Sequence, residues 1–442
     1  MLIRFVCNNI LSFYNEIDFR LFPGTPRKNK DHVIKTPGKN PDVLKACLIY
    51  GANASGKSNL VKAVDIGKRL IVNGPGNAEI ISIPRFKMSA DSAKENSSFE
   101  FTFSSNKKVY VYGYEVSLNR VVDEWCYQLI NKKPKMLFQR ETDEHRVVKV
   151  KLSLRLNDKK SLAFHQAYLE TATAPNQLCL NQILKSHAPE YTAITGWFAT
   201  KLKIIYPNTK FLNVFNILTD DEFYHFVRTM LSKLDTGISN LTKRSYSFDD
   251  ARVNIPSKMK DDIRRNIREG GVILVRGLTS GRELYAVSLN KGEIKADKIV
   301  FSHQIPGEEM IDFDLGEESD ATSRLLDLLP ILYDLKNNDS VYLIDEIERS
   351  LHTVLTRGLF KEYFKFEGTN HSQLIATTHD TNLLDLRLFR RDEFWFIKKN
   401  YLHYSELYSL EEFKERFDKQ IARDYLSGRY GAIPVIELFN KE

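Results

Sequence analysis

An α/β fold is predicted, in which a mixed sheet with flanking helices carries an antiparallel β subdomain and a helical insertion. Three observations predict it. Gly51-Ala52-Asn53-Ala54-Ser55-Gly56-Lys57-Ser58 fits the GxxxxGK[ST] template at every fixed position, between the apolar run Ala46 to Tyr50 and a helix-spaced set, Leu60, Val61, Val64 and Ile71. Near the other end, two buried-strand runs finish in polar residues: Val341 to Ile344 before Asp345-Glu346, and Gln373 to Thr378 before His379-Asp380. Between these ends the apolar period changes from two to 3.6, from about residue 153 to residue 270.

Taken in order, residues 1–22 alternate in part between apolar and polar positions, which predicts two or three short strands turning near Asn8-Asn9 and Asn15. Residues 23–42, rich in Pro, Gly, Lys and Asn, predict a basic loop. The helix after the glycine-rich loop should end near Gly74-Pro75-Gly76. From Ile81 to about Leu152, runs such as Phe99 to Phe103 and Val109 to Val116, separated by Asn, Lys and Asp turns, predict an antiparallel sheet. Residues 1–152 are therefore assigned as the N-terminal half of the core and 153–270 as a mainly helical lobe. In that lobe Ile194, Trp197, Phe198 and Leu202 form one stripe. Phe223, Phe226, Val227, Met230, Leu231 and Leu234 form a second, with Thr219 and Glu222 at capping-box spacing before it. A third helix is expected from Ser257 to Arg268, with Met259, Ile263 and Ile267 inward. Its Lys258, Lys260, Arg264, Arg265 and Arg268 stand against Asp261, Asp262 and Glu269. That face is either solvated or a surface for duplex DNA. Residues 271–442 form the C-terminal half. Strands are expected at Val272 to Val275, Leu284 to Ser288 and Ile299 to Ser302. A helix from Thr322 to about Leu335 follows, which Pro330 should kink or split. The last stretch offers two strands, a charged helix, and Tyr425-Leu-Ser-Gly-Arg-Tyr-Gly-Ala432, for which the sequence supplies no physical account.

The chemistry follows from residue types. Gly51 and Gly56 let the backbone curl so that successive N–H groups aim at phosphate oxygens, at the positive end of the helix dipole. Asn53, Ala54, Ser55 and Asn59 complete the loop and the first helical turn. Lys57 can bring its ammonium onto the β/γ-phosphates, and the Ser58 hydroxyl is the usual magnesium ligand. ATP with Mg2+ is the expected cofactor. Asp345 at the exposed end of a buried strand would hold the metal, and Glu346 would act as general base on the attacking water. His379, after the next strand, could reach the γ-phosphate. Lys57 and Asp345 lie so far apart in the chain that no single αβ repeat joins them, so the lobe between is carried by the core.

Bulk properties bound the partners. The 442-residue chain carries a formal net charge of +7, which permits contact with nucleic acid without demanding it. No apolar run of membrane-spanning length and no signal peptide are recognised, so no membrane association is expected. Cys7, Cys47, Cys126 and Cys179 are scattered without CxxC spacing, which predicts neither a disulfide framework nor a zinc site and fits a reducing cytoplasm.

The order GxNxSGKS, then ESDATSR (Glu318 to Arg324), LIDEIERSLH (Leu343 to His352) and TTHD (Thr377 to Asp380) resembles the ABC-type P-loop ATPases of the SMC, RecF and OLD group. It is closest to the stand-alone AAA-family ATPases of bacterial defence systems, such as those of PARIS and AbiL-type abortive infection. The resemblance covers about residues 1–120 and 270–435. It implies that Ser319 lies in a signature motif reaching the γ-phosphate of a neighbouring subunit's nucleotide, that Ser350-Leu351-His352 occupies the D-loop, and that His379 is the switch histidine. It implies a homodimer or a ring of dimers closed around ATP. Two departures stand out: Ala321 follows Ser-Asp where relatives have Gly, and Pro84-Arg-Phe-Lys87 occupies the region of the Q-loop glutamine. The implied function is a defence ATPase controlling a separate effector, typically a Toprim-type nuclease. A RecF-like protein clamping duplex DNA is the alternative. A transporter subunit is disfavoured by the missing Q-loop, the altered signature and the large insertion.

Overall fold

The computed structural model describes residues 1–24, 28–75, 80–153, 159–183, 189–209, 216–234, 236–277, 283–304, 307, 309–366, 371–413 and 420–433. The chain divides into two compact units. The first holds Met1–Pro207, Asn338–Glu348 and Phe364–Glu442; the second holds Asn208–Asn337 and Arg349–Tyr363.

The first unit is built on two sheets. Its six-stranded sheet runs Leu202–Ile205, Val341–Ile344, Gln373–Thr377, Ala46–Gly51, Phe394–Lys399 and Ser405–Ser409. The first five pair in parallel and the last is an antiparallel edge. The central strands are apolar without alternation, as strands covered on both faces must be: Ala46–Gly51, Val341–Ile344 and Gln373–Thr377 are buried at every position. The second sheet is antiparallel and seven-stranded, from Val148–Leu152 at one edge to Leu2–Asn8 and Ile17–Arg20 at the other. Its inward aromatics include Phe5, Phe99, Phe101, Phe103, Tyr110, Tyr112 and Tyr114. Helix Lys57–Asn73 contributes Leu60, Val61, Val64 and Ile71 to the same core. The predicted mixed sheet and antiparallel subdomain are both present.

Gln373 joins the sheets. It is fully buried; its Nε2 donates to the carbonyls of Leu2 and Leu44, each at 2.9 Å, and its Oε1 accepts the Leu2 N–H at 2.5 Å.

The second unit contains a five-stranded sheet, with Asn240–Ser247, Glu293–Gln304, Leu284–Asn290 and Val272–Arg276 in order and Met310–Phe313 beside Glu293–Gln304. Helices Asp221–Lys233 and Asp320–Asn337 meet through Phe223 and Phe226 against Tyr333.

Several expectations are corrected. The boundaries expected at 152 and 270 do not coincide with the breaks between the units. Residues 153–207 go with the nucleotide loop, because Trp197 stacks on Phe103 at 4.4 Å and Leu202–Ile205 adds a parallel strand beside Val341–Ile344. For the same reason the stripe through Leu202 is not one helix: helix Pro189–Gly196 passes into a π-helical turn, Trp197–Lys201, and then into strand. The lobe after it is not mainly helical either. Asn240–Ser247 is a strand whose polar sequence hides it, only Leu241 along it being buried. Asp220, not Thr219, caps its helix, accepting the Phe223 N–H at 3.0 Å. Met259 is exposed, while Ile263 and Ile267 face the core. Pro330 does not split its helix, which runs unbroken from Asp320 to Asn337 with ten buried side chains to hold it. The basic loop at 23–42 is pinned by buried His32, which stacks on Phe364 at 3.7 Å and meets Glu393 at 2.9 Å. The expected charged helix begins as the 3-10 turn Leu410–Phe413, and residues 414–419 lie outside the described residues. The closing Tyr425–Ala432 motif packs on one face of the six-stranded sheet. Tyr425 and Tyr430 stack on Phe396, and the Tyr425 hydroxyl donates to the Ala432 carbonyl at 3.1 Å.

Replacing Gln373 by Ala strips three buried backbone groups of their partner, so a loss of about 3 kcal/mol of stability is expected. Denaturant unfolding monitored by tryptophan fluorescence checks this.

Candidate nucleotide site

Strand Ala46–Gly51 delivers the chain to the glycine-rich loop, and helix Lys57–Asn73 leaves it. Between them the backbone is forced through two left-handed positions, Ala54 at φ 60° and Gly56 at φ 119°. Gly56 has no alternative: a Cβ there would strike the hydroxyls of Ser405 and Ser12. Those two serines brace the loop from beneath. Ser405 Oγ donates to the Ser55 carbonyl at 2.6 Å and lies within hydrogen-bonding distance of Ser12 Oγ, at 2.8 Å. Gly51 is equally confined, against the Ile397 carbonyl. Asn53 and Ala54 are exposed at the rim, Ser55 is buried, and Ser58 and Asn59 are half-buried in the first helical turn.

Lys57 is 5% exposed and donates to the carbonyls of Gly51 at 2.7 Å and Ala52 at 3.0 Å. Burial lowers its ammonium pKa to about 8, against the opposing pull of Asp345, Glu348 and Glu346.

The acidic pair stands at the C-terminal end of Val341–Ile344. Asp345 is 3% exposed; its Oδ1 accepts the Thr377 hydroxyl at 2.6 Å, and its N–H donates to the Ile205 carbonyl at 2.8 Å. Glu346 sits at φ 51°, a left-handed conformation that costs a non-glycine residue on the order of 1 kcal/mol. The turn sends its N–H onto Thr377 Oγ1 at 2.8 Å and leaves its side chain half-buried. One threonine hydroxyl thus links both acidic residues.

His379 follows Gln373–Thr377 and is exposed. Partial burial and the Lys57 ammonium disfavour its cationic form. Tyr50 Oη donates to the Asp380 carbonyl at 3.0 Å and fixes the turn to the loop strand.

The sheet order therefore brings the glycine-rich loop, Asp345-Glu346 and His379 to the C-terminal ends of three adjacent parallel strands. That is where ligands bind in open α/β sheets. A buried carboxylate at a strand end and a helix-start hydroxyl, Ser58, are oxygen donors suited to Mg2+ shared with phosphate. Among the described residues no group of three His, Cys, Asp or Glu side chains could hold a metal by itself.

Ser319 belongs to the second unit. It is exposed at the start of the 18-residue helix Asp320–Asn337, and its Oγ accepts the Thr322 N–H at 3.1 Å. Ala321 lies in the first turn of that helix, a setting that suits alanine better than glycine. The Pro84 carbonyl accepts the Leu11 N–H at 2.7 Å, the Phe86 N–H donates to Asn9 Oδ1 at 3.3 Å, and no glutamine enters that segment. Sequence reasoning missed Thr377, Glu348, Ser12 and Ser405. The first two sit inside quoted motifs and could have been read as their polar neighbours; the serines carry no local signal.

All four cysteines are buried and unpaired. No helix among the described residues is long and apolar enough to cross a membrane.

A family model described as "AAA domain, putative AbiEii toxin, Type IV TA system" matches residues 48–385. No curated protein matches. Similar solved structures include an SMC head bound to the C-winged helix domain of ScpA (14% identity, 93% of this chain and 99% of that one, TM-score 0.42). An SMC head domain from Thermotoga maritima is also similar (12% identity, 92% and 98%, TM-score 0.39).

Because burial holds the Lys57 pKa near 8 and a phosphate partner would raise it, nucleotide binding between about pH 8 and 10 should take up protons. Calorimetry at pH 8.5 in buffers of different ionisation enthalpy is expected to read roughly half a proton or more per site, and Lys57→Ala should abolish binding.

Proposed function

The chain belongs to the family described as AAA domain, putative AbiEii toxin, Type IV TA system, and from that premise we propose that it binds and hydrolyses ATP as an ABC-type ATPase, two copies closing around the nucleotide. One observation carries this reading: Lys57, Asp345-Glu346 and His379 stand at the ends of three neighbouring parallel strands. The loop Gly51 to Asn59 would cradle the phosphates. Ser58 and Asp345 would hold Mg2+, whose charge offsets that of the β- and γ-oxygens. Glu346 would take a proton from the attacking water, and neutral His379 would donate to the γ-phosphate.

Those groups supply one side of the nucleotide only. Ser319, with a hydroxyl and the positive end of a long helix, is suited to the other. In an isologous pair each Ser319 meets the γ-phosphate held by the second copy, so ATP is part of the interface and its hydrolysis loosens it. The output would then be conformational: the ATP state holds or releases a separate effector, a Toprim-type nuclease being the expected one, in a cytoplasmic anti-phage (abortive infection) system. The family description, which names a toxin of a toxin–antitoxin system, agrees in kind with a defensive role.

The RecF-like alternative draws less support. On helix Ser257–Asn266, Arg264 pairs with Asp249 and Asp261, and Arg265 with Asp262. These charges are balanced locally rather than offered as a phosphate-binding stripe.

Glu346→Gln should bind ATP, lose turnover and accumulate as the assembled form on size-exclusion chromatography with ATP. Ser319→Arg should cut turnover about a hundredfold or more while the monomer still binds ATP. Normal turnover by Glu346→Gln, or full-rate hydrolysis at dilutions where only monomer exists, would refute the reading. Duplex DNA should leave the rate within about twofold.

A further inference from the structure

One acidic side chain beside the carboxylate strand has no role in the scheme above. Glu348, two residues beyond Glu346, reaches to the neighbouring turn, where its Oε1 accepts the backbone N–H of His379 at 2.6 Å. Its Oε2 is buried and has no hydrogen-bond partner among the described residues. A carboxylate oxygen shut away from water without a donor is disfavoured, and a residue needed only to fill space would not carry one.

Two other links join the same segments. The Thr377 hydroxyl bridges Asp345 and the Glu346 N–H, and the Ile347 N–H donates to the Thr377 carbonyl at 3.2 Å. Both end at Thr377. Glu348 alone among these links acts on His379 itself, and it does so through a side chain of definite length. Its field follows the same geometry. Of the three carboxylates it pulls hardest on His379 and is second only to Asp345 at Lys57. Its charge therefore acts on both groups that would face the γ-phosphate.

Resting on the ATP-hydrolysis reading, we propose that Glu348 is a positioning residue for His379, holding the turn through its Oε1 as a hydrogen-bond acceptor and not through its charge. The imidazole is thereby set at one height over the γ-phosphate position before nucleotide arrives. The attacking water is left to Glu346. Freed from Glu348, the turn would depend on Tyr50 Oη at Asp380 and on its own strand.

Two substitutions separate acceptor from charge. Glu348→Gln keeps an oxygen at the same reach and removes the charge; Glu348→Asp keeps the charge and withdraws the oxygen by one methylene. With purified full chain, kcat of Glu348→Gln should stay within about threefold of wild type. That of Glu348→Asp should fall tenfold to a hundredfold, with KM for ATP changed less than about twofold. In nucleotide-free protein, amide hydrogen exchange over 377–381 should accelerate in Glu348→Asp and not in Glu348→Gln, a readout that needs no turnover. The reverse ranking, a loss in both variants, or unchanged exchange and kcat in both, overturns the proposal. Failure of the underlying reading looks different: a wild type without ATPase activity, or an active Glu346→Gln, leaves the exchange comparison to decide the role of Glu348 by itself.

Discussion

The hydroxyl of Thr377 is the interaction on which the site depends. It donates to Asp345 and accepts from the backbone of Glu346, so a single oxygen sets the carboxylates against the strand that carries His379. That contact exists only because Gln373–Thr377 is threaded between Val341–Ile344 and Ala46–Gly51. The same strand begins with Gln373, whose amide holds the first strand of the antiparallel sheet. One five-residue strand thus ties the two sheets at one end and the chemistry at the other. All five of its positions are buried, and a buried polar group survives there only if its partners are complete.

Left-handed backbone also occurs within that frame. Ala54 and Gly56 in the loop and Glu346 after the carboxylate strand all adopt left-handed conformations. Non-glycine residues tolerate this only where the surroundings over-determine the backbone. Here the surroundings are named: Ser405 and Ser12 under the loop, Thr377 beside Glu346. Ser405 lies on the antiparallel edge strand and Ser12 on the turn after the first strand, so both sheets contribute to the floor of the loop.

The sequence carried the parts of this architecture that obey local rules. A glycine-rich loop between a strand and a helix, and apolar runs ending in acidic or histidine residues, are readable because period and composition agree there. What stayed hidden was set by tertiary partners. Asn240–Ser247 looks polar because one residue along it, Leu241, is buried, and it forms because Glu293–Gln304 offers an edge. Leu202–Ile205 looks like the tail of a helix and is strand because it completes the parallel sheet. Pro330 reads as a break, yet the burial of its neighbours keeps the helix whole. Ser12, Ser55 and Ser405 meet from three distant stretches, and no spacing rule can find such a cluster.

The setting of Lys57 bears on how the proposed nucleotide would bind. Lys57 is turned inward onto the carbonyls of Gly51 and Ala52, which occupies two of its three donors and partly satisfies a buried cation. A ligand that recruits the ammonium must replace those two hydrogen bonds, which are already charge-assisted on the lysine side, and an anionic phosphate adds direct ion pairing. The three carboxylates behind Lys57 work in the opposite sense: they keep it protonated against its burial but also repel an incoming anion. In the proposed reading, Mg2+ held by Ser58 and Asp345 would offset the repulsion between the phosphates and these carboxylates.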